Sequence, residues 1–224
     1  MAALVKICGL STPETLDAAL QAGADFVGFV RYPKSPRHVD LDRGRALSAQ
    51  ARGKALRVVL VVDADDQALA EVIDALDPDL LQLHGGETPE RVAAIRARHG
   101  RPVMKAIGIA DASDLAHLAA HRGADHLLLD AKPPRMSGAL PGGNGVAFDW
   151  RLLAGLDPGL PFMLSGGLNP DNVAAAIGLT GARAVDVSSG VETRPGEKDP
   201  ARIEAFVKSA RAAFAAPQNK DKVA

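Results

Sequence analysis

The sequence predicts an α/β fold, a single (β/α)8 TIM barrel with a parallel eight-stranded core. Eight short apolar runs rich in β-branched residues alternate with Ala-rich amphipathic stretches. The runs recur about every 26 residues, a spacing that suits one β-α unit. Most of them are continuously apolar, which is typical of parallel strands covered on both faces. Together these observations favour a barrel over other α/β arrangements.

The strand candidates are bounded by turn residues. They are Leu4–Cys8, Phe26–Val30, Val58–Val62, Leu80–His84, Val103–Ile107, His126–Asp130, Pro161–Ser165 and Ala184–Ser188. An open doubly wound sheet is the alternative, and a Gly-rich turn should then follow the first strand. The first strand instead runs into Cys8-Gly9-Leu10, which lacks that fingerprint. The closed barrel is therefore favoured.

The intervening segments carry signals for the starts and ends of helices. Four helices are expected to begin with a capping side chain followed by proline, at Thr12, Thr88, Asn169 and Asp199. Helices are expected to end at Gly23, Gly100, Gly123 and Gly181. The barrel is expected to occupy residues 1–214, and the polar segment 215–224 to form a flexible tail.

Composition excludes several classes of protein. The 224 residues include 26 Lys and Arg and 27 Asp and Glu, a formal net charge of −1, and only 4% are aromatic. A nucleic-acid partner is not expected, because such a protein needs a basic face and usually stacking aromatics. The only cysteine, Cys8, excludes an internal disulfide and fits a reducing cytosol. No signal peptide or membrane-spanning run is apparent, so we expect a cytoplasmic protein with no membrane partner.

Polar residues lie at the carboxyl ends of several predicted strands, where such barrels carry their active sites. They include Cys8, His84, Asp130 and Asp186. Cys8 is either a small buried hydrophobe or a functional thiol. Asp130 either caps a loop or faces the barrel mouth, which we favour because several strands converge there. His84 either contacts a ligand or is a core histidine, and no other histidine stands at metal-ligand spacing from it.

Two glycine-containing loops predict a phosphate site. Ser165-Gly166-Gly167 follows the seventh strand, and Ser188-Ser189-Gly190 follows the eighth. Glycines let backbone N–H groups approach an anion closely, and a helix N-terminus adds a favourable dipole. Loops in these two positions form the usual phosphate site of such barrels. We expect a phosphate to be bound by Gly166, Gly167, Ser188, Ser189 and Gly190, and plain turns are the alternative.

Two other loops are candidates for ligand contact. Arg37 ends the rigid segment Pro33-Lys34-Ser35-Pro36 after the second strand. Its guanidinium suits bidentate capture of a carboxylate, although it could also be a solvated surface arginine. The long segment 131–147 is rich in Gly and Pro. Such a segment is usually a lid or a binding loop, with a surface insertion as the alternative.

Lys6 and Cys8 are expected to share a face of the first strand, because they lie two residues apart. That spacing corresponds to about 6.6 Å along a strand. We hypothesise that the ammonium of Lys6 lowers the pKa of the Cys8 thiol. The alternative is that Lys6 simply pairs with a carboxylate in the barrel.

These residues together resemble the phosphoribosylanthranilate isomerase family. The matching motifs are Lys6-Ile7-Cys8-Gly9-Leu10, Ser35-Pro36-Arg37, Gln82-Leu83-His84-Gly85, Leu129-Asp130, Gly142-Gly143-Asn144-Gly145, Phe148-Asp149-Trp150, Ser165-Gly166-Gly167-Leu168 and Asp186-Val187-Ser188-Ser189-Gly190-Val191-Glu192. Each motif alone is weak. The ordered set, which runs over nearly the whole chain apart from the tail, is specific.

The resemblance implies an isomerase of L-tryptophan biosynthesis that converts N-(5-phosphoribosyl)anthranilate to 1-(2-carboxyphenylamino)-1-deoxyribulose 5-phosphate by an Amadori rearrangement. It implies that Cys8 is the general base and Asp130 the general acid, and that Arg37 holds the anthranilate carboxylate. His84 and Asp186 are expected to contact the substrate. The reaction includes no redox step, so no cofactor and no metal are expected. The partner is the small phosphoribosyl substrate, and we expect a monomer or a homodimer.

Two other functions stay open at this point. The aminoimidazole carboxamide ribotide isomerase of histidine biosynthesis also catalyses an Amadori rearrangement, but that family uses paired aspartates and binds two phosphates. Here the first strand ends in Cys8, which favours a substrate with a single phosphate. A non-catalytic phosphosugar-binding barrel would keep the phosphate loops without needing both Cys8 and Asp130.

Overall fold

The strands form a closed parallel barrel in sequential order, with β1 paired to both β2 and β8. The computed structural model describes residues 3–132, 142–143, 145 and 147–216. The barrel strands are β1 Leu4–Cys8, β2 Phe26–Val30, β3 Leu56–Val61, β4 Leu80–Leu83, β5 Val103–Ile109, β6 His126–Ala131, β7 Phe162–Leu164 and β8 Ala184–Val187. The predicted barrel and all eight of its strands are confirmed, with ends that differ by at most two residues.

Helices cover the outside of the barrel. They are α1 Pro13–Gln21, α2 Leu41–Ala51, α3 Asp66–Leu76, α4 Pro89–His99, α5 Ala112–Leu115, α6 Val173–Thr180 and α7 Pro200–Ala215. Short 3-10 turns lie at Leu118–His121, Trp150–Leu153 and Ser189–Val191. Among the described residues, no helix is long and apolar enough to cross a membrane. Of the expected tail, residues 217–224 lie outside the described part of the chain.

Three of the four predicted helix starts are confirmed. Thr12, Thr88 and Asp199 each accept a backbone N–H bond in the first turn, and proline is the next residue. The start at Asn169 is wrong, because α6 begins at Val173. The Asn169 side chain accepts from the N–H groups of Asp171 and Asn172 instead. A short amide readily bonds the backbone two residues ahead, so it closes a turn before the helix.

The four predicted helix ends agree only partly with the structure. Gly100 and Gly181 end α4 and α6 in the left-handed conformation, with φ of 60° and 67°. Gly23 follows the end of α1, and Gly123 follows a 3-10 turn, because α5 has only four residues.

A short antiparallel hairpin, β9 Glu192–Arg194 and β10 Glu197–Lys198, connects β8 to α7 and was not predicted. This hairpin brings two charged side chains to the site described below.

The barrel interior changes from apolar to polar along several of its strands. Its inner core is formed by Phe26, Val58, Leu80, Met104, Ala106, Leu128, Met163 and Ala184. Side chains alternate across a strand, so the inward residues that follow two positions later stand nearer the carboxyl end. On β4, β6 and β8 these are Gln82, Asp130 and Asp186, all of them buried. Apolar side chains therefore fill one end of the barrel, and polar side chains lie toward the other.

Candidate active site

A pocket opens at the carboxyl ends of the strands. All of the predicted site residues line it except Gly190. A Cβ atom added to Gly190 would lie 1.8 Å from the carbonyl oxygen of Leu168, so this glycine lets the loops after β7 and β8 pack together. Cys8, Asp130 and Arg37 come to this one pocket from β1, from β6 and from the loop after β2.

Cys8 ends β1 inside the barrel, where it is only 3% exposed. Behind it, the Lys6 ammonium donates to Asp186 Oδ1 at 2.8 Å, and both partners are buried. Ser165 Oγ lies 3.3 Å from Asp186 Oδ2 and donates to it. The pairing of Lys6 with a barrel carboxylate, which the sequence analysis gave as the alternative, is confirmed. Although burial disfavours the ammonium, Asp186 and Cys8 raise the pKa of Lys6 above its usual value.

The charge of Lys6 acts on the pKa of Cys8 in the hypothesised direction, but it does not determine whether that pKa ends above or below its ordinary value. Burial raises the pKa of the Cys8 thiol, because a thiolate loses its hydration inside the barrel. The charge of Lys6 lowers this pKa, and the charge of Asp186 raises it. Burial outweighs the attraction to Lys6, so the pKa of Cys8 ends above its ordinary value. Lys6 therefore limits the increase.

We expect Lys6→Met to raise the pKa of Cys8 further, because the thiolate then loses its cationic neighbour. The pH dependence of alkylation by iodoacetamide reports this pKa directly, since Cys8 is the only cysteine in the chain. Lys208→Met, which removes an exposed charge from α7, is the matched control and should leave the alkylation profile unchanged. An unaltered profile in folded Lys6→Met would exclude this role for Lys6.

Asp130 faces the barrel mouth within a chain of hydrogen bonds. Its Oδ1 accepts from the N–H of Ala131 at 2.8 Å, and its Oδ2 lies 3.2 Å from His84 Nε2. On the other side of the imidazole, Gln82 Nε2 lies 2.8 Å from His84 Nδ1. With the Gln82 amide donating to Nδ1, Nε2 is the ring nitrogen that carries a proton, and it points at Asp130. Gln82 lies two residues before His84 on one strand face, and no role was predicted for it from the sequence.

The glycines of the β7 loop are required by the close approach of other backbone segments. Gly166 and Gly167 have φ of 85° and 66°, in the left-handed region. A Cβ atom on either would lie 2.6 Å from a backbone nitrogen, that of Ala131 or that of Ala147. The helix behind this loop begins later than predicted, and Asn172 Nδ2 donates to the carbonyl of Gly167 at 2.9 Å. The phosphate-binding role of both glycine loops stays a prediction.

Arg37 is not a solvated surface arginine, because it is only 4% exposed. Its Nε and Nη2 donate to Glu192 Oε1 and Oε2 at 2.7 and 2.9 Å, a bidentate pair. Lys198 Nζ also donates to Glu192 Oε1, at 2.6 Å. Burial alone would raise the pKa of Glu192, but hydrogen bonds and charges from Arg37 and Lys198 lower it to about 2. Glu192 is the last residue of a motif noted above, whereas no sequence signal pointed to Lys198.

The described part of the segment 131–147 lies over the pocket. Gly142 packs so closely that an added Cβ would lie 2.6 Å from His84 Nε2 and 2.9 Å from Asp130 Oδ2. Gly143 accepts a hydrogen bond from Arg37 Nη2 at 3.2 Å. These contacts support a binding loop rather than a surface insertion. The rest of the segment, including Asn144, lies outside the described residues.

Comparison with known proteins identifies the family. The family model described as N-(5'phosphoribosyl)anthranilate (PRA) isomerase matches residues 5–209. The N-(5'-phosphoribosyl)anthranilate isomerase of Azorhizobium caulinodans is 60% identical over 217 residues, which cover 96% of this chain and 95% of that protein.

Solved structures agree with the family match. The phosphoribosyl anthranilate isomerase of Thermotoga maritima is 36% identical with a TM-score of 0.84, and the match covers 95% of this chain and all of that one. A phosphoribosyl anthranilate isomerase in complex with reduced 1-(o-carboxyphenylamino)-1-deoxyribulose 5-phosphate is 35% identical with a TM-score of 0.82, over 95% of this chain and 100% of that one. The chain therefore belongs to the N-(5'-phosphoribosyl)anthranilate isomerase family.

Proposed function

We propose that the protein converts N-(5-phosphoribosyl)anthranilate to 1-(2-carboxyphenylamino)-1-deoxyribulose 5-phosphate in L-tryptophan biosynthesis, with Cys8 as general base and Asp130 as general acid. Family membership supports the reaction. The observation that carries the residue roles is the shared pocket, which Cys8 and Asp130 line together with Arg37 and both glycine loops. A thiol, a carboxyl group and two anion-binding features fit the reacting sugar and the two charged ends of this substrate.

Ring opening is the step assigned to Asp130. Electrons from the anilino nitrogen form a C1′=N bond as the bond from C1′ to the ring oxygen breaks, and Asp130 delivers its proton to that oxygen. The carboxylate left behind keeps the Ala131 N–H on Oδ1 and has His84 Nε2 beside Oδ2. These two donors stabilise charge where it develops, which is what accelerates a chemical step.

Proton abstraction is the step assigned to Cys8. The thiolate removes the proton from C2′ of the open-chain iminium, the electrons of the C2′–H bond form the C1′=C2′ bond of an enolamine, and the π electrons of the C1′=N bond return to nitrogen. Transfer of a proton to C1′ and loss of the hydroxyl proton at C2′ then give the ketone. The Lys6 ammonium stabilises the thiolate that starts this step, and the buried position of Cys8 keeps water away from it. General bases of this kind contribute about 10²–10⁴-fold to the rate.

The anionic ends of the substrate do not react and serve to position it. The phosphate is assigned to the loops that contain Gly166, Gly167, Ser188 and Ser189, which line the pocket, with Gly190 packed behind them. The anthranilate carboxylate is assigned to Arg37, whose guanidinium lines the same pocket. His84 and Asp186 are assigned to the sugar region, where they support Asp130 and Lys6. Binding both ends holds the sugar between the acid and the base.

Arg37→Ala is expected to raise KM by about 10- to 100-fold with a much smaller change in kcat, because a charged hydrogen bond contributes about 1.5–3 kcal/mol. Steady-state kinetics with N-(5-phosphoribosyl)anthranilate measure both constants. Arg45→Ala, which removes an exposed arginine from α2, serves as the control and should behave like the native chain. A fall in kcat at unchanged KM would remove Arg37 from the carboxylate site.

The proposed reaction is tested by mixing the purified protein with freshly prepared N-(5-phosphoribosyl)anthranilate. An indoleglycerol phosphate synthase traps the product, and the loss of substrate fluorescence reports the rate. We expect loss far above the spontaneous rate, and no conversion of aminoimidazole carboxamide ribotide precursors at a comparable rate. A folded sample that binds the reduced product analogue but does not accelerate the loss would contradict the proposal and favour a binding barrel.

A further inference from the structure

A buried charge cluster extends from Arg37, which lines the pocket, to two residues that have no role in the mechanism above. It consists of Arg37, Glu192 and Lys198, which are 4%, 5% and 8% exposed, and we call it the Arg37 triad. Glu192 and Lys198 belong to the β9–β10 hairpin, whereas Arg37 belongs to the loop after β2. The hairpin therefore supplies Glu192, which pairs with Arg37, and Lys198, which is a second partner of Glu192.

The hydrogen bonds of Arg37 determine which edge of its guanidinium is available. Glu192 occupies Nε–H and one N–H of Nη2, and the carbonyl of Gly143 takes the other N–H of Nη2. A guanidinium has five N–H donors, so the two on Nη1 are left. Within the described residues no hydrogen bond from Nη1 to protein is formed, so Glu192 fixes the direction in which Arg37 presents its remaining donors.

Lys198 determines the net charge of the Arg37 triad. The bidentate pair of Arg37 and Glu192 is neutral overall, and a neutral pair attracts an anion weakly. The ammonium of Lys198, 2.6 Å from Glu192 Oε1, makes the triad net positive. In a buried site, where screening by water is weak, one added positive charge favours a nearby carboxylate strongly.

Lys198 also reaches the loop after β8. Its Nζ donates to the carbonyl oxygen of Ser188 at 2.9 Å and lies 3.2 Å from Ser188 Oγ. Together with Glu192, these contacts use all three donors of the ammonium. Lys198 therefore cannot donate to a ligand without breaking one of them. It acts through Arg37 on one side and through Ser188 on the other.

We propose that Lys198 is a positioning residue for both anionic ends of the substrate, acting through Glu192 and Arg37 on the carboxylate and through Ser188 on the phosphate. This inference rests on the proposed function, because it takes the two ends of that substrate as the ligands. It makes recognition of the carboxylate and of the phosphate depend on the same buried ammonium. Removing Lys198 should then weaken discrimination for both groups.

The test compares three probes by isothermal titration calorimetry. They are reduced 1-(o-carboxyphenylamino)-1-deoxyribulose 5-phosphate, the same compound without its carboxylate, and the same compound without its phosphate. The native chain should prefer the complete probe over either truncated one. In Lys198→Met we expect both preferences to fall by about tenfold or more, because one partner of a buried charge pair is gone. In an Arg37→Ala background, Lys198→Met should change only the preference for phosphate.

Other outcomes overturn the inference. Equal weakening of the binding of all three probes in Lys198→Met would mean that Lys198 only stabilises the hairpin. Loss of the carboxylate preference alone would refute the proposed effect of Lys198 on the phosphate through Ser188. Glu192→Gln, which keeps the side-chain shape but cannot pair bidentately as a carboxylate, should lower the carboxylate preference even if Lys198→Met does not fold. Arg57→Met breaks a partly buried pair with Asp79 at the opposite end of the barrel and should leave both preferences unchanged. Failure of the native chain to bind the complete probe would instead refute the proposed function.

Discussion

Cys8→Ala is expected to lower kcat by about 10²–10⁴-fold, the usual contribution of a general base. The thiol is the group assigned to the C2′ proton, and alanine cannot accept a proton. The barrel should still fold, because alanine fits the space of a side chain that packs closely against Gly28. The coupled fluorescence assay measures kcat, and circular dichroism checks the fold.

Cys8→Ser sharpens this prediction. A hydroxyl is isosteric with the thiol but a much weaker acid, so serine should not restore the rate. Because burial raises the pKa of Cys8, the thiolate fraction of the native enzyme should increase as the pH rises through neutrality into the alkaline range. The native kcat/KM should therefore rise in that direction where proton abstraction limits the rate. A native-like kcat in Cys8→Ala would remove Cys8 from the mechanism.

Asp130→Asn is expected to lower kcat by a similar factor of about 10²–10⁴, because the amide cannot deliver the proton that opens the ring. Asparagine keeps the size of the side chain, and its oxygen can still accept from Ala131 or His84. KM should therefore change much less than kcat. Steady-state kinetics in the same assay separate the two constants.

The matched control lies directly before the same strand. Asp125 precedes β6 at the opposite end of the barrel, where it pairs with Arg96 and accepts from the N–H of Val103. Asp125→Asn should leave kcat unchanged, although it should cost some stability. If Asp130→Asn kept native turnover, another group would have to donate the proton, and His84 would be the next candidate.

The barrel could be predicted because its signals are local. Each strand is a short run of apolar residues, and Thr12, Thr88 and Asp199 cap helices through bonds to residues only two or three positions away. The helix start at Asn169 was predicted wrongly for the same reason, because an Asn-Pro pair suits both a helix cap and a turn. The β9–β10 hairpin is too short to leave a periodic pattern in the sequence.

The site was predicted as a set of positions, but its interactions were not, apart from the pairing of Lys6 with a carboxylate. Strand ends and the rule for barrels placed Cys8, Asp130 and Asp186 at one mouth. The bidentate pair of Arg37 with Glu192 joins residues 155 positions apart, and no local pattern encodes such a contact. The spacing of Lys6 and Cys8 indicated their proximity, but the larger effect of burial on the thiol pKa depends on the whole barrel around it.

The central claim is that Cys8 and Asp130 serve successive proton transfers in one pocket. Its most direct test is the turnover of the double variant Cys8→Ala/Asp130→Asn, measured together with its affinity for the reduced product analogue. We expect turnover no more than slightly below that of the slower single variant, with an affinity within about tenfold of native. Turnover close to native, or a loss of rate explained entirely by lost binding, would contradict the account.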